Sequence, residues 1–220
     1  MHEAARAHLK KARHEAGLTL KELASRIGVS TSQLSQIERG SSEPSVASLY
    51  ALTSALGISL DAVLSAGGPA SNDGEARDGP VVRNGTRARL EMTDGVLWEQ
   101  LTRGQDPFVD ALLVTYSPGG KSASDGSLMT HAGREYAYLI EGELTLHFRF
   151  QKIAMRAGDS LAFDSSNPHM YSNEGVIPAR AIFHVVGRVD TDLTEATDGH
   201  TPQTAVEAMR MLASKGRTDA

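Results

Sequence analysis

Met129, His131, Glu135 and His169 are the residues of this 220-residue chain whose types and spacing could do chemistry. The first three lie in "LMTHAGREYAYLIEGE" (128–143) and the last in "SSNPHMYSN" (165–173). In an extended chain alternate side chains share a face, so positions 129 and 131 look the same way. Glu135, across a short bend, can turn inward beside His131, and His169 can reach both from the second stretch. Two imidazoles and a carboxylate are a donor set for iron, manganese, nickel or zinc. Methionine offers a soft, neutral thioether that favours Cu(I) and serves hard divalent ions poorly. At most a His131–Glu135–His169 triad is left for a metal. Without one, the same groups would bind a small polar molecule: Glu135 would pair with an amine, the histidines with a carboxylate or hydroxyl. Tyr171 and Asn173 share strand parity with His169 and are expected to line the same cavity. Tyr136 and Tyr138 have the opposite parity to Glu135, which points to packing and a dimer interface. Arg134 stands open between facing solvent and recognising an acid. His147 alternates with Leu146 and Phe148 and belongs on the polar face of its strand.

The elements that must position these groups are short strands. "ALLVTYSPGG", "YAYLIEGELTLHFRF", "SLAFDSS" and "ARAIFHVVGRV" are apolar or alternating runs bounded by Gly, Pro, Asn and Asp. That is the pattern of antiparallel strands in a barrel or sandwich. Upstream, "AGGPASNDGEARDGP" (Ala66–Pro80) has no periodicity and reads as a flexible linker, spanning roughly 20 Å root-mean-square. Before it the apolar period is helical, running through Leu9 and Ala12, Leu20 to Ile27, Leu34 and Ile37, Val46 to Leu56, and Leu60 to Leu64. Thr19 with Glu22, and Ser30 with Gln33, fit the capping box that opens a helix. Gly17, Gly40 and Gly57 mark helix ends. Five short helices follow, the second and third joined by a tight "IGVS" turn, a helix-turn-helix layout. In the tail, Thr201 and Pro202 start one more helix that ends before Gly216.

"GLTLKELASRIGVSTSQLSQIERGSSEPSVASLYALTSALGISLDAVL" resembles the phage-repressor (Cro/cI-type, or XRE) DNA-binding domain, including the "SQIERG…PS" exit from its third helix. Leu34 and Ile37 turn that helix inward and leave a hydroxyl- and amide-rich face outward. Gln can bond adenine at two atoms, and Ser or Thr can bond any base edge. By motif position the resemblance implies Thr31, Ser32 and Gln36 as base readers, with Thr19, Ser30 and Arg39 near the DNA backbone and Lys21 and Arg26 as further phosphate contacts. It also implies that Arg13 and Glu38 form a structural ion pair. The "LMTHAGREYAYLIEGE" segment resembles the first motif of the cupin family, with Met129, His131, Glu135 and Gly142 at its four marked places. Gly158, His169 and Asn173 fit the second motif, whose usual proline and glycine are replaced by Asp164 and Ser166. Met129 therefore stands where that family carries a histidine ligand.

The order of the two motifs resembles bacterial one-component regulators that sense small metabolites. The expected fold is multidomain α + β. An all-α, five-helix, lambda-repressor-like domain (1–65) and the linker (66–80) precede an all-β double-stranded β-helix, a jelly-roll-like cupin barrel (81–188), and a tail with one helix (189–220). The expected function is sequence-specific transcription regulation, of the repressor kind, with operator affinity set by a small polar metabolite such as an amine or amino acid. The alternative is a metal-dependent cupin enzyme, a dioxygenase or isomerase, fused to a DNA-binding domain. The expected partners are double-stranded operator DNA, the metabolite and a second copy of the chain. No catalytic residue and no cofactor are expected; His131, Glu135 and His169 are the residues that would hold a divalent metal.

A net charge of −5 looks wrong for a DNA binder until it is divided. Residues 1–65 hold seven Lys/Arg against six Asp/Glu, and the rest holds fifteen against twenty-one, so the acidity lies in the second part. Cysteine is absent, which removes disulfides and zinc–thiolate sites and fits a reducing compartment. No apolar run follows a basic start and no apolar window nears ~18 residues, so a cytoplasmic protein without a membrane span is expected.

Overall fold

Capping decides where the helices begin. The computed structural model describes residues 1–66, 81–102 and 108–187. Its helices are α1 (Glu3–Glu15), α2 (Leu20–Ile27), α3 (Thr31–Arg39), α4 (Val46–Leu56) and α5 (Leu60–Ala66). Thr19 accepts a hydrogen bond from the Glu22 amide at 3.2 Å while Glu22 accepts one from the Thr19 amide at 2.8 Å, the reciprocal box expected. Ser30 accepts from the Gln33 amide, and Ser45 does the same for Ser48 at the head of α4. Gly28 closes α2 at φ 73°, a left-handed conformation that costs glycine no steric penalty, and the chain turns directly into α3. Leu9, Leu23, Leu34, Ile37, Leu49 and Leu64 fill the bundle core. Arg13 crosses that core to Glu38: Nε donates to Oε1 at 2.7 Å, Nη2 to Oε2 at 3.0 Å, and Nη1 to the Leu18 carbonyl at 2.8 Å.

After the helices come nine strands among the described residues. They are β1 (Arg89–Glu91), β2 (Val96–Gln100), β3 (Val109–Tyr116), β4 (Arg134–Glu141), β5 (Glu143–Phe148), β6 (Gln151–Arg156), β7 (Ser160–Asp164), β8 (His169–Ser172) and β9 (Ala179–Val186). One sheet runs β1-β2-β3-β9-β4-β7, the other β6-β5-β8, and all named pairs are antiparallel. Trp98, Leu112, Leu139, Leu144, Tyr171 and Phe183 are among the side chains buried between them. β4 alternates as its sequence does, with Glu135, Ala137 and Leu139 inward and Arg134, Tyr136, Tyr138 and Ile140 outward. Gly142 makes the β4–β5 turn at φ 79°, where a Cβ would lie 2.5 Å from the Pro178 carbonyl oxygen. The linker residues after Ala66 and the tail helix expected from Thr201 lie outside the described residues.

The helices are not merely tethered to the barrel. The described residues fall within one compact unit, Met1–Val189, and a single buried apolar cluster runs from the bundle into the β-sheets. The Thr93 amide donates to the Pro44 carbonyl at 3.0 Å, and the Ala47 amide donates to the Ser122 carbonyl at 3.0 Å. Ser65 donates to Gln100 at 3.3 Å. α4, "VASLYALTSAL", carries no charged residue. It packs with α1 and α2, and its Val46 and Tyr50 meet the barrel.

Candidate functional site

Two places gather chemistry. The first is the outer face of α3, where Thr31, Ser32, Gln36 and Arg39 are all exposed. Arg39 donates to the Ser35 hydroxyl one turn back. Thr19 and Ser30, at the starts of α2 and α3, have their hydroxyls engaged in caps. Lys21 and Arg26 are exposed on α2. This face is polar, carries arginine at one end, and presents a helix start whose first amides lack intrahelical acceptors.

The second is a cavity in the barrel. Glu135 is 2% exposed. Its Oε1 lies 2.8 Å from His131 Nε2 and 3.3 Å from His169 Nε2, and its Oε2 accepts from the Tyr171 hydroxyl at 2.6 Å. His131 Nδ1 sits 3.1 Å from the Ala132 carbonyl, and His169 Nδ1 sits 2.8 Å from the Asn167 carbonyl. A carbonyl only accepts, so each Nδ1 carries its proton and donates. A carboxylate also only accepts, so the 2.8 Å contact from His131 Nε2 to Glu135 is a hydrogen bond only when that nitrogen carries a proton as well. His169 Nε2 is buried without a partner in hydrogen-bonding geometry despite its 3.3 Å approach to Glu135. One ligand atom from each of the three residues lies within 4.8 Å of the others, a spacing that could hold a cation.

Burial pushes the Glu135 pKa up, but the His131 and His169 ring nitrogens beside the carboxylate outweigh it and hold it down to about 2. Burial, reinforced by the Glu135 charge, pushes the Tyr116 and Tyr171 hydroxyls well up, so both remain proton donors. Met129, Trp98, Leu112, Val114, Tyr116 and Phe183 complete the barrel's share of the wall. The remaining wall is Val46 and Tyr50 of α4. The Tyr50 ring stacks on His131 with centroids 4.2 Å apart and planes 4° apart, and meets the Trp98 ring edge at 5.5 Å. The space is about 20 Å³, room for a single water.

Comparison with known proteins agrees with this layout. Residues 9–63 match the helix-turn-helix family model, and residues 112–185 match the cupin domain. Over 167 residues the chain is 29% identical to the HTH-type transcriptional regulator PuuR of Escherichia coli (strain K12), covering 75% of this chain and 85% of that one. Over 47 residues it is 49% identical to the uncharacterized HTH-type transcriptional regulator y4dJ of Sinorhizobium fredii, covering 21% of this chain and 61% of that one. The fold is similar to the crystal structure of an HTH_3 family transcriptional regulator from Vibrio cholerae, with TM-score 0.59 at 23% identity, covering 84% of this chain and 96% of that one. The chain is a helix-turn-helix transcriptional regulator with a cupin domain.

In this regulator the structure brings His131, Glu135, His169 and Tyr171 together. It does not bring Asn173 with them. β8 ends at Ser172, so strand parity no longer governs the next side chain. The Asn173 amide instead donates to the Tyr116 and Ile177 carbonyls at 2.9 and 2.8 Å, tying down a loop. Met129 and His131 also sit outside any regular strand, Met129 held by a single bridge to His169, yet both are buried, Met129 in the cavity wall and His131 against Glu135. His147 reaches the Ser172 hydroxyl at 2.8 Å, away from the cavity lining. Arg134 is exposed, its guanidinium 5.8 Å from the Tyr136 ring centroid. Val46, Tyr50, Trp98, Leu112, Val114, Tyr116 and Phe183 are the wall residues missed in the sequence. The signal for Tyr50 was a helix without a charged residue on any face.

Proposed function

We propose that this regulator works in the cytoplasm as a one-component, homodimeric repressor. It binds operator DNA through α3 and is switched by a small cationic metabolite, an amine or amino acid, in the cupin cavity. The observation that carries the ligand class is the buried, ionised Glu135 beside His169 Nε2, which is buried without a hydrogen-bond partner. An ammonium group has three N–H donors and would meet the carboxylate and the two Nε2 atoms of neutral rings, replacing the present His131–Glu135 contact. Trp98, Tyr116, Tyr171 and Phe183 supply aromatic walls of the kind that favour a cation. On the DNA side, Thr31, Ser32 and Gln36 have the chemistry to read base edges, while Thr19, Ser30 and Arg39 lie where backbone contacts are made. Selection of genomic fragments by the purified chain, at low salt and with metabolites varied, tests this; enrichment of no common motif would sink it.

Dimerisation is proposed on the outer face of the larger sheet. Tyr136, Tyr138 and Ile140 are 44%, 49% and 43% exposed on β4, and Ile182 pairs with Tyr138 from β9. A row of large exposed apolar side chains on a sheet face marks an interface. One helix-turn-helix reads too few bases for specificity, and this motif works on two half-sites about 34 Å apart. Tyr136→Glu with Tyr138→Glu is expected to make the full chain monomeric in light scattering at micromolar concentration. A dimer that survives both substitutions places the interface elsewhere.

A metal-dependent enzyme fused to a DNA-binding domain is the second reading. The two rings locked through Nδ1 onto carbonyls favour it, since metal-binding histidines are held that way. His131, Glu135 and His169 fit a divalent ion as a triad, with the Met129 side chain in the wall where the family carries a further histidine. A bound ion would act as a Lewis acid toward a carbonyl or hydroxyl. The chain's own part is to orient both imidazoles and to keep the Tyr171 hydroxyl donating to the second Glu135 oxygen. Protein purified without a nickel column is expected to carry no stoichiometric metal; iron or manganese at one per chain would favour the enzyme.

A further inference from the structure

We infer that Val46 and Tyr50 of the DNA-binding domain are a removable wall of the sensor cavity, so that a ligand and the docked helical bundle compete for the same space. This deepens the proposed function and rests on its reading of the cavity as a ligand site. With both side chains in place the space holds about one water, so a metabolite enters only if a wall gives way. Trp98, Leu112, Val114 and Phe183 stand on β2, β3 and β9, which are hydrogen-bonded to neighbours on both sides. Moving any of these breaks a ladder.

α4 is joined to the barrel differently, through Ala47 to Ser122, with Pro44 to Thr93 beside it. Its other side belongs to the bundle core through Leu49 and Leu52. When Tyr50 leaves His131, α4 takes the bundle with it as one body. Ser122 joins the two events. Its carbonyl holds Ala47, its amide donates to the Tyr171 carbonyl at 3.0 Å, and its hydroxyl accepts from the Tyr171 amide at 3.0 Å. Tyr171 is the residue that donates to Glu135. A ligand that draws Glu135 away therefore acts on the backbone that anchors α4.

The Ala47 amide reads this docking directly. It lies in the first turn of α4, where amides have no acceptor within the helix, so its partner is the barrel's Ser122. Hydrogen exchange of the full chain is expected to show Ala47 protected. Tyr50→Ala should accelerate it at least tenfold while the helical amides of Leu49 and Leu52 stay slow. n-Butylammonium chloride, against matched sodium chloride, should accelerate Ala47 in wild type and add little in Tyr50→Ala. If Tyr50→Ala loosens Leu49 and Leu52 as well, Val46→Ala carries the same test with less disruption. Unchanged Ala47 exchange in the variants, or fast exchange in wild type, overturns the inference whatever the salt does. Release of Ala47 by Tyr50→Ala but not by the alkylammonium keeps the removable wall and discards the amine.

Discussion

Glu135→Gln is expected to keep operator binding and abolish the response to ligand. The substitution preserves shape and removes the charge that an ammonium would meet. It also leaves the folded protein satisfied: the new amide can donate to a ring nitrogen, and its oxygen can accept from the Tyr171 hydroxyl as Glu135 does. Losing one partner of a buried charge pair costs about 3–5 kcal/mol, so ligand affinity should fall more than 100-fold. Calorimetry with the identified metabolite measures that fall, and anisotropy on an operator fragment measures the retained DNA affinity. Ser32→Ala with Gln36→Ala should do the reverse, since both residues are exposed on α3 and away from the cavity. Each lost base contact costs roughly 1–3 kcal/mol of operator binding. If Glu135→Gln, His131→Ala and His169→Ala all respond as wild type does, the sensing pocket lies elsewhere.

Arg13→Ala should be the most damaging substitution in the helical domain. The side chains of Arg13 and Glu38 are 7% and 8% exposed, and the guanidinium serves both carboxylate oxygens and the Leu18 carbonyl. The hydrogen bond to Glu38 holds the Arg13 pKa above its ordinary value. Removing the arginine strands a buried carboxylate and a buried carbonyl, at a cost of about 3–5 kcal/mol. Against a typical domain stability of roughly 5–15 kcal/mol that is a large share. Lys11→Ala is the control: its 3.6 Å pair with Glu15 is exposed at both ends and contributes little. Thermal melts should separate the two variants clearly, and an Arg13→Ala protein that melts with wild type would remove the pair from the stability account.

The parts legible in the sequence are those whose causes are local. Thr19 with Glu22 and the glycines after the helices announce helix ends because the groups they satisfy lie a few residues away. β4 was legible from strict alternation. β6, "QKIAMR", was not, because only Met155 of its six residues is buried and the period has nothing to mark. The His131–Glu135–His169 cluster was visible from spacing, although Met129 and His131 occupy irregular chain. Asn173 shows the limit of parity: it extrapolates a strand one residue past its end. Tyr50 shows another. Its partners His131 and Trp98 are far away in sequence, and a mid-helix tyrosine reads simply as bundle core.

The uncharged α4 has a consequence for anyone who divides this protein at its linker. Residues 1–66 look like a self-sufficient module, yet one helix of that module carries no charged residue. Its solubility is borrowed from the barrel. A fragment ending there would uncover Val46, Ala47 and Tyr50 together, an adhesive strip on a small protein, inviting self-association at the concentrations used for biophysics. Trimming those positions to polar residues would turn the fragment into a well-behaved reagent.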